Sequence, residues 1–336
     1  MAPVTLFDIA KEAQVDVSTV SRALNGRPGV RKEVRERILE AAARLNYRPN
    51  LVARGLVTGR SNTIGLLVSD IRNPFFAESA RGAEDAAQQA GHDIVLCNSD
   101  LDPAKQMRYF LSLLDKRVIG IVMNSVAPLS PTDQDLIASS GTPVVLLSRA
   151  PLSPVFSSVT CDNEGGGFLA GEYLARLGHK VVAHLTGSVH HPNLDERWKG
   201  FVKGMERAGS GIKPVLLAGT HHSRGASEMV DRLLRNYPKV TAISAGSDAM
   251  AFGAARALYC AGVRIPDDMS LIGFDDVEHS SIMHPPLTTI SAPIYEMGKA
   301  AVEVLIGQFN RKDLVPEHRK FGVRLVERES CRKLDE

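Results

Sequence analysis

The feature that most constrains the fold is an alternation of short apolar runs with helical stretches, which begins at Asn62 and restarts at Asp162. The runs are four to seven residues long and almost continuously hydrophobic, which is typical of strands buried on both faces of a parallel sheet. Helices are expected between them, beginning near Phe75, Pro103 and Pro131. The pattern predicts two α/β halves in tandem. The runs are IGLLVSD, DIVLCNS, GIVMNS, PVVLLS and SSVTC, then VVAHLTG, VLLAG, TAISAGS and SLIGF.

The segment before these runs has a different periodicity and predicts three short helices. Thr5 can cap the first helix, with Asp8 at the capping-box position three residues later, and Asp16 is a second candidate N-cap. A third amphipathic stretch follows in VRKEVRERILEAAARLNY. The three apolar faces should form a small core. They comprise Leu6, Ile9, Ala10 and Ala13, then Val20, Ala23 and Leu24, then Val34, Ile38, Ala41, Ala42 and Leu45.

The second predicted helix has a polar face of Ser18, Thr19, Ser21 and Arg22 rather than the Glu/Lys mixture of an ordinary solvated helix. A helix that docks in the DNA major groove needs an arginine fork for a base edge and small hydroxyls for phosphates. Residues 1–60 hold 11 Lys+Arg against 6 Asp+Glu, whereas the remainder has a net charge of −3. This asymmetry favours a nucleic-acid partner for the N-terminal segment, called the head here, and not for the rest of the chain. An ordinary helical hairpin with a polar outer face is the alternative.

A linker follows the third helix. The sequence RPN at 48–50 should end that helix, because a residue before proline avoids the α region. Residues 51–57, LVARGLV, are too few for a stable isolated helix, and Gly55 weakens it further. A flexible linker is the simplest interpretation of this segment.

Polar side chains follow the predicted strands, at the ends where α/β folds place their clefts. An arginine fork, carboxylates and a ring would suit a polyhydroxylated ligand, because hydroxyls form charge-assisted hydrogen bonds and a sugar packs its C–H face on a ring. Asp248 and Asp276 are also compatible with helix caps, and Phe76 with the core. The candidates are Asp70, Asn73, Phe75, Phe76, Ser125, Ser148, Arg149, Arg197, Ser247, Asp248 and Asp275.

Enzyme and metal motifs are lacking. The sequence has no GxxxxGK[ST], HExxH or GxSxG, and GGGFLA at 165–170 lacks the acid of a dinucleotide fingerprint, so close packing of a helix on a sheet explains its glycines more simply. The histidine pairs at 190–191 and 221–222 are weak metal signals. The four cysteines show no zinc spacing and are expected to be small buried hydrophobes in a reducing compartment. We therefore predict no catalytic site, no cofactor and no metal.

The chain resembles the LacI-type (lactose-repressor) family of bacterial transcription regulators in several motifs that occur in the same order. These are TLFDIAKEAQVDVSTVSRALNG, RERILEAAARLNYRPNLVARGL and IGLLVSDIRNPFFAE, then EYLARLGHKVVAHLTG, ERWKGF, SDAMAFGAARAL, SLIGFDDVEHSS and PPLTTI. The resemblance covers nearly the whole chain. It implies an all-α, lambda-repressor-like helix-turn-helix head joined to an α/β body of two tandem Rossmann-like subdomains, as in periplasmic binding proteins.

The resemblance implies a transcriptional regulator, usually a repressor, that binds palindromic double-stranded DNA as a homodimer. The segment at about 50–57 becomes a hinge helix that folds on the operator and inserts an apolar wedge in the minor groove. The DNA-binding residues implied are Val17, Ser18 and Arg22 for bases, Thr5, Thr19, Ser21, Asn25 and Asn50 for phosphates, and Ala53 and Leu56, the wedge, in the hinge.

The resemblance also implies a small-molecule effector between the two subdomains, with a carbohydrate favoured over a nucleoside, a purine or an organic acid. Two positions depart from the family. Ser148-Arg149 stands where many relatives have Asp-Arg, and Thr220 stands where many have an aromatic residue, so the identity of the effector is open. The implied effector-binding residues are Asn73, Phe75, Ser125, Ser148, Arg149, Arg197, Thr220, Ser247, Asp248 and Asp275.

The expected organisation is a head at 1–47, a hinge at 48–61 and a body at 62–336, whose N-subdomain comprises about 62–161 and 291–320 and whose C-subdomain comprises about 162–290 and 321–334. The end of the chain has no leucine heptads, which favours a dimer over a tetramer. No signal peptide or membrane-length apolar run is recognised, so a cytoplasmic protein is expected. A two-lobed sugar-binding transport receptor and an α/β enzyme are the alternatives.

Overall fold

The computed structural model of the protein separates into two compact units, residues 1–61 and 62–336, and each is described by itself. The residues that it describes are 4–24, 26, 28–47, 61–126, 129–149, 156–187, 192–207, 214–220, 223–310 and 315–334. None of the described helices has the length and apolar composition needed to cross a bilayer.

The described residues of the first unit form three helices, α1 (Leu6–Ala13), α2 (Val17–Leu24) and α3 (Lys32–Arg44). The predicted capping box is confirmed, because the backbone N–H and the hydroxyl of Thr5 both donate to Asp8 Oδ2, at 2.8 and 2.7 Å. Asp16 precedes α2, and its backbone carbonyl accepts from the N–H groups of Thr19 and Val20 at 2.9 and 3.1 Å. The second helix therefore begins where the sequence predicts.

The core of this unit is formed by the apolar faces predicted for the three helices. Ile9, Ala13, Val20 and Ile38 are fully buried in it. Val17 packs partly against the same cluster. Because α2 buries one face here, its polar face points away from the core and is available to a partner.

In the part of the second unit that the structure describes, two six-stranded sheets have helices between their strands. The strand order of the first sheet is β11-β5-β4-β3-β1-β2, and that of the second is β12-β10-β9-β8-β6-β7. Every pairing is parallel except that of β10 with β12. The strands are β1 (Thr63–Val68), β2 (Asp93–Asn98), β3 (Gly120–Met123), β4 (Val144–Leu147), β5 (Ser157–Cys161), β6 (Val182–Thr186), β7 (Val215–Ala218), β8 (Ala242–Ala245), β9 (Ser270–Asp275), β10 (Thr288–Ser291), β11 (His318–Phe321) and β12 (Arg324–Val326).

The helices of this unit begin close to the predicted positions near Phe75, Pro103 and Pro131. Proline at the first turn suits these starts, because its missing N–H would have no intrahelical partner there. The helices are α4 (Pro74–Gln89), α5 (Pro103–Asp115), α6 (Pro131–Ser139), α7 (Asn163–Arg176), α8 (Pro192–Arg207), α9 (Ser223–Asn236), α10 (Asp248–Cys260), α11 (His279–Ile282) and α12 (Ile294–Phe309).

The chain passes between the two sheets late in the sequence. After β10 in the second sheet, α12 packs on α4 and on strands β3 to β5 of the first half. Strand β11 then pairs with β5 in the first sheet, and β12 returns to pair with β10 in the second. The strand pairing assigns each strand to one of the two sheets. The residue limits predicted for the N-subdomain and the C-subdomain remain a prediction.

Two expectations about burial are wrong. Strands β2 and β7 are not buried on both faces, because each is the last strand of its sheet and has a neighbour on one side only; Leu96 and Leu216 are 37% and 43% exposed. Among the cysteines, Cys97 and Cys161 are buried, but Cys260 is exposed at the end of α10. The interior strands β3, β4, β8 and β9 are buried throughout, as predicted.

Candidate functional site

The body has a cleft where the carboxyl ends of strands from both sheets meet. Ser69, Asn124 and Ser148 follow strands of the first sheet, while Ser247 follows a strand of the second and Asp275 ends another. All five residues line one space of about 60 Å³, called the inner cavity here. A larger space of about 360 Å³, called the outer cavity, shares Ser69 as a lining residue. The strand ends therefore build a two-part site, as expected for parallel sheets.

The structure brings together most of the predicted effector-binding residues. Those that line the inner cavity are Asn73, Phe75, Ser148, Arg197, Ser247 and Asp275. Phe76, which the strand-end pattern also marked, lines the same cavity, as do five residues that the sequence did not indicate: Ser69, Asn124, Asn193, Leu194 and Met250. Asn193 and Leu194 lie in the first turn of α8, one turn before Arg197. Their proximity to Arg197 in the sequence is the signal that could have indicated them.

Arg197 is held rigidly in the inner cavity by groups from three directions. Its Nε donates to Asn163 Oδ1 at 2.9 Å, and its Nη1 donates to the carbonyl of Gly246 at 2.6 Å. Its guanidinium carbon lies 3.5 Å from the centroid of the Phe274 ring, which is a cation–π contact. The charge is 3.5 Å from Asp275 Oδ1. A planar fork held in this way can present its remaining N–H groups to the oxygens of a ligand.

Asp275 is the carboxylate of the inner cavity. Its side chain is almost completely buried, and its backbone φ is 123°, which a residue other than glycine rarely adopts. Burial raises the pKa of this carboxyl to about 7, and the ion pair with Arg197 opposes that shift. The carboxyl can therefore act as an acceptor or as a donor near neutral pH.

Asp248, a predicted effector residue, does not line either cavity. Its carboxylate accepts from Val277 N–H at 3.0 Å and from the hydroxyls of Ser280 and Thr289 at 2.7 and 2.6 Å. It is also not the cap of α10, because Ser247 is the N-cap residue and accepts from Met250 N–H. Burial raises the pKa of Asp248 to about 6. Its role is to tie α10 to the elements beside β9, inside the protein.

Ser148 and Arg149 follow β4 and have separate roles. The side-chain amide of Asn193 donates to the carbonyl and to the hydroxyl of Ser148, the latter at 3.1 Å, so this bond joins the two halves of the body. Arg149 is 4% exposed and turns inward, where Nε and Nη2 donate to the carbonyls of Ser125 and Val126 at 2.6 and 3.0 Å. Burial lowers the pKa of Arg149 to about 10.

Three further candidates are placed differently from the expectation. Ser125 contributes its carbonyl to Arg149 and is not a lining residue of either cavity. Thr220 packs against Gly225 at the start of α9 and also lines neither cavity. Asp276 pairs with Arg328 at 2.7 Å instead of capping a helix. The side-chain contacts of these residues are decided by neighbours distant in sequence, which periodicity does not reveal.

Among the predicted DNA-binding residues that the structure describes, five lie on α2 and Thr5 precedes α1. Ser18 and Arg22 are exposed on α2, while Thr19 and Ser21 are partly buried. Val17 is half-buried against the core, and Thr5 is exposed as the N-cap of α1. Arg22 forms no ion pair with any residue that the structure describes. Asn25, Asn50, Ala53 and Leu56 lie outside the described residues, as do the histidine pairs at 190–191 and 221–222.

Comparison with protein families finds two matches that together cover almost the whole chain. Residues 5–50 match the family model described as bacterial regulatory proteins, lacI family. Residues 61–329 match the model described as periplasmic binding proteins and sugar binding domain of the LacI family. The boundary between the two matches falls in the predicted hinge.

Individual relatives agree with these matches. The chain is 36% identical to the ribose operon repressor of Halalkalibacterium halodurans over 98% of this chain and 97% of that protein. It superposes on a lac repressor dimer bound to operator and the anti-inducer ONPF with a TM-score of 0.85 and 29% identity, covering 98% of this chain and 99% of that one. It superposes on a transcriptional regulator from Enterococcus faecium with bound ribose with a TM-score of 0.74 and 30% identity, covering 81% and 100%.

Proposed function

The chain belongs to the lacI family of bacterial regulatory proteins, and from that premise we propose how its residues carry out regulation. It is a DNA-binding transcriptional repressor with an effector-binding body, and it is not an enzyme. We assign residues 1–47 to the head, 48–61 to the hinge and 62–336 to the body. The protein acts in the cytoplasm as a homodimer on a twofold-symmetric operator, because two heads are needed to contact two half-sites.

The observation that carries the DNA-binding proposal is the division of α2 into two faces. Val20 and Ala23 are buried in the head core, whereas Ser18 and Arg22 are exposed. An arginine in this position can donate to O6 and N7 of a guanine, and small hydroxyls can contact phosphates. We assign base contacts to Val17, Ser18 and Arg22, phosphate contacts to Thr5, Thr19, Ser21, Asn25 and Asn50, and hinge contacts to Ala53 and Leu56.

The test compares Arg22→Gln with Arg37→Gln, which removes an exposed charge from α3. The operator is first selected from random duplexes with the natural protein, and affinities are then measured for that operator and for a scrambled duplex at fixed salt. Arg22→Gln should weaken operator binding by about 5- to 150-fold, from a loss of about 1–3 kcal/mol, with little change on the scrambled duplex. Arg37→Gln should change both affinities equally. Unaltered operator preference in Arg22→Gln would remove the assignment.

The effector site is the inner cavity together with the outer one. Arg197 and Asp275 supply a fork and a carboxyl, and Asn73, Ser148 and Ser247 supply further polar groups around Phe75. This combination suits a polyhydroxylated ligand, and the relative with bound ribose supports a sugar or a sugar-like compound. Arg149, Ser125 and Asp248 hold the walls of the site from behind. We place Thr220 just before α9, next to the part of that helix that lines the outer cavity.

Effector binding changes operator affinity by shifting a pre-existing equilibrium between arrangements of the two halves. A ligand does this only by its differential affinity for the two states, typically about 1–3 kcal/mol. A thermal-shift screen over sugars, sugar phosphates, polyols, nucleosides and purines identifies the ligand, since a compound at a hundred times its Kd stabilises the body by about 2.7 kcal/mol. Trp198, the single tryptophan, adjoins Arg197 and reports binding by fluorescence. A hit that leaves operator affinity unchanged would contradict the regulatory role.

A further inference from the structure

The charge on Arg149 has no counter-ion among the described residues. Its side chain is 4% exposed, Nε and Nη2 donate to two backbone carbonyls, and Nη1 has no hydrogen-bond partner. A buried arginine with no carboxylate is costly, because carbonyl dipoles replace only part of its hydration. Arg149 directly follows Ser148, whose side chain lines the inner cavity. The first half of the cleft therefore has an uncompensated positive charge behind its wall.

The outer cavity has a second unbalanced cation. Arg224 lines it from the first turn of α9 and is exposed, with no ion pair to any residue within the described ranges. Arg72 lines the opposite side and is bound in two places by Asp70, at 2.8 and 3.0 Å. The pair of Arg72 and Asp70 is neutral, so Arg224 determines the sign of the charge in this cavity.

The carboxylates in and behind the cleft wall already have partners. Asp70 is paired with Arg72, and Asp275 faces Arg197. Asp248, behind the wall, accepts from Val277 N–H and from the hydroxyls of Ser280 and Thr289, and it offsets one of the two unpaired arginines. In addition, α4, α8, α9 and α10 all have residues of their first turns in the cavity walls. The N-terminal end of a helix carries a partial positive charge, which favours an anion nearby. The net field of the whole cleft is therefore positive, and low-dielectric walls concentrate such a field.

Volume limits how a ligand can occupy this field. The inner cavity, at about 60 Å³, has space for a few water molecules, whereas a small-molecule site usually has about 300–1,000 Å³. The outer cavity, at about 360 Å³, falls within that range. A ligand that reaches Arg197 must therefore extend into the outer cavity, where it meets Arg72 and Arg224.

We propose that the effector is a polyhydroxylated anion, whose hydroxyl groups bind in the inner cavity and whose carboxylate or phosphate binds in the outer cavity beside Arg224. This inference rests on the proposed effector function of the cleft. Arg149 is a positioning residue of this site, because its charge attracts the anion through the wall of the cavity without contacting it. Neutral sugars of the same skeleton bind more weakly.

Calorimetry on the full-length protein tests the charge. The probes are glucose, glucuronate and glucose 6-phosphate, with ribose, ribonate and ribose 5-phosphate as a second set and inorganic phosphate alone. At least one anion should bind about tenfold or more tightly than its neutral counterpart, and raised salt should reduce that ratio. A response to the phosphate esters alone identifies phosphate, and one to the sugar acids alone identifies carboxylate. Equal or tighter binding of the neutral sugars in both sets, or no binding by any anion, would overturn the proposal.

Two pairs of variants test the residues with the tightest anion found. Arg224→Gln should reduce its affinity about tenfold and lower the anion-to-neutral ratio, while Arg256→Gln, at an exposed arginine on α10, should change neither quantity. Ser148→Asp adds a negative charge to the wall of the inner cavity, which opposes the positive field of the cleft, and should reduce the anion-to-neutral ratio about tenfold. Ser148→Asn, which matches its size without the charge, should keep the ratio within about twofold. Equal ratios in the two Ser148 variants, or an unchanged anion affinity in Arg224→Gln, would contradict the proposal.

Operator release separates failure of this inference from failure of the proposed function. Release of the selected operator by a neutral sugar, at a concentration equal to or below that of its anion, overturns the charge inference and leaves the regulator intact. Operator binding that responds to no probe, with no heat of binding from any, counts against both.

Discussion

At the scale of single residues, Arg197 and Asp275 are the charged centre of the cleft. Arg197 donates to Asn163 and to the carbonyl of Gly246, and its charge is 3.5 Å from Asp275. Both side chains are almost completely buried. The attraction between the two charges only offsets the cost of taking them out of water. Substitution of one partner should therefore affect stability differently from substitution of both.

The first prediction concerns the loss of one partner. Arg197→Met leaves the buried Asp275 without a cation, so its carboxyl becomes protonated, and it leaves Asn163 Oδ1 and the Gly246 carbonyl without their donor; the free energy of unfolding should fall by about 1–3 kcal/mol. The double variant Arg197→Met/Asp275→Asn removes the titratable carboxyl and should recover part of that loss. Urea denaturation at pH 7.5 measures all four members of the cycle. A double variant as unstable as the sum of the two single variants would show that the pair is not coupled.

The second prediction concerns pH. Burial raises the pKa of Asp275 from 3.8 to about 7, so the folded state favours the protonated carboxyl. The stability that this group contributes is fully present below pH 3.8 and is lost as the pH rises through about 7. Each unit of pKa difference corresponds to about 1.4 kcal/mol. The stability of Asp275→Asn should therefore fall less than that of the natural protein between pH 5 and pH 8.

Urea midpoints at pH 5, 6, 7 and 8 check this second prediction. Asp267→Asn is the control, because Asp267 is exposed and pairs only at the surface with Arg264. Its profile should follow that of the natural protein. If Asp275→Asn shows the same slope as this control, the carboxyl is ionised in the folded protein throughout that range.

At the scale of elements, α7 and α8 are packed unusually closely through glycines. A Cβ at Gly167 would overlap the backbone carbonyl of Arg197, and a Cβ at Gly200 would overlap that of Glu164. Gly166 faces the Phe274 ring in the sheet instead. The glycine run in α7 therefore serves both helix–sheet and helix–helix packing, of which only the first was predicted. This contact sets the position of the α8 turn that carries Arg197.

The third prediction tests that contact with two glycine-to-alanine changes. Gly167→Ala forces α8 away, and it should reduce stability by about 1–3 kcal/mol and weaken effector binding through the displaced Arg197. Gly307→Ala, in α12 with no atom near its added Cβ, should be neutral or stabilise by up to about 1 kcal/mol. Thermal unfolding and Trp198 fluorescence titration measure the two effects. Equal behaviour of the two variants would mean that the close approach is not needed.

At the scale of the whole body, the two halves are joined by the late chain crossings and by a bond across the cleft. Asn193, at the start of α8, donates to the carbonyl and hydroxyl of Ser148, which follows β4 in the other half. The crossings are covalent, whereas the cross-cleft bond is non-covalent and stabilises the arrangement that the structure shows. Such a bond biases the equilibrium on which an effector acts.

The fourth prediction is that Asn193→Ala shifts this equilibrium toward an open arrangement. The lost bond is worth about 0.5–1.5 kcal/mol, so the effector concentration for half-maximal operator response should rise about 2- to 10-fold. Small-angle scattering without effector should show a larger radius of gyration. Asn236→Ala, exposed at the end of α9, is the control and should change neither quantity. An unchanged radius of gyration in Asn193→Ala would show that the bond does not hold the halves together.

The sequence by itself determined the elements and the order in which they occur. Apolar period and length predicted the strands and helices, and Thr5 with Asp8 predicted the start of α1, because these signals act between residues close in the chain. Side chains at strand ends marked the cleft for a similar reason, since parallel strands bring their carboxyl ends to one edge. Asp275 was found in this way, whereas Arg197, which lies within α8, was indicated mainly by the resemblance of ERWKGF to the family.

Only the tertiary structure decided what those strand-end side chains contact. Asp248 and Asp275 both follow apolar runs, yet one turns inward to hydroxyls and a backbone N–H while the other faces Arg197. Arg149 could not be distinguished from a cleft residue until its carbonyl partners were known. The exposed edges of β2 and β7 likewise follow from sheet order. Periodicity specifies which face of an element is buried, but the partner of a side chain depends on elements that meet only when the chain is folded.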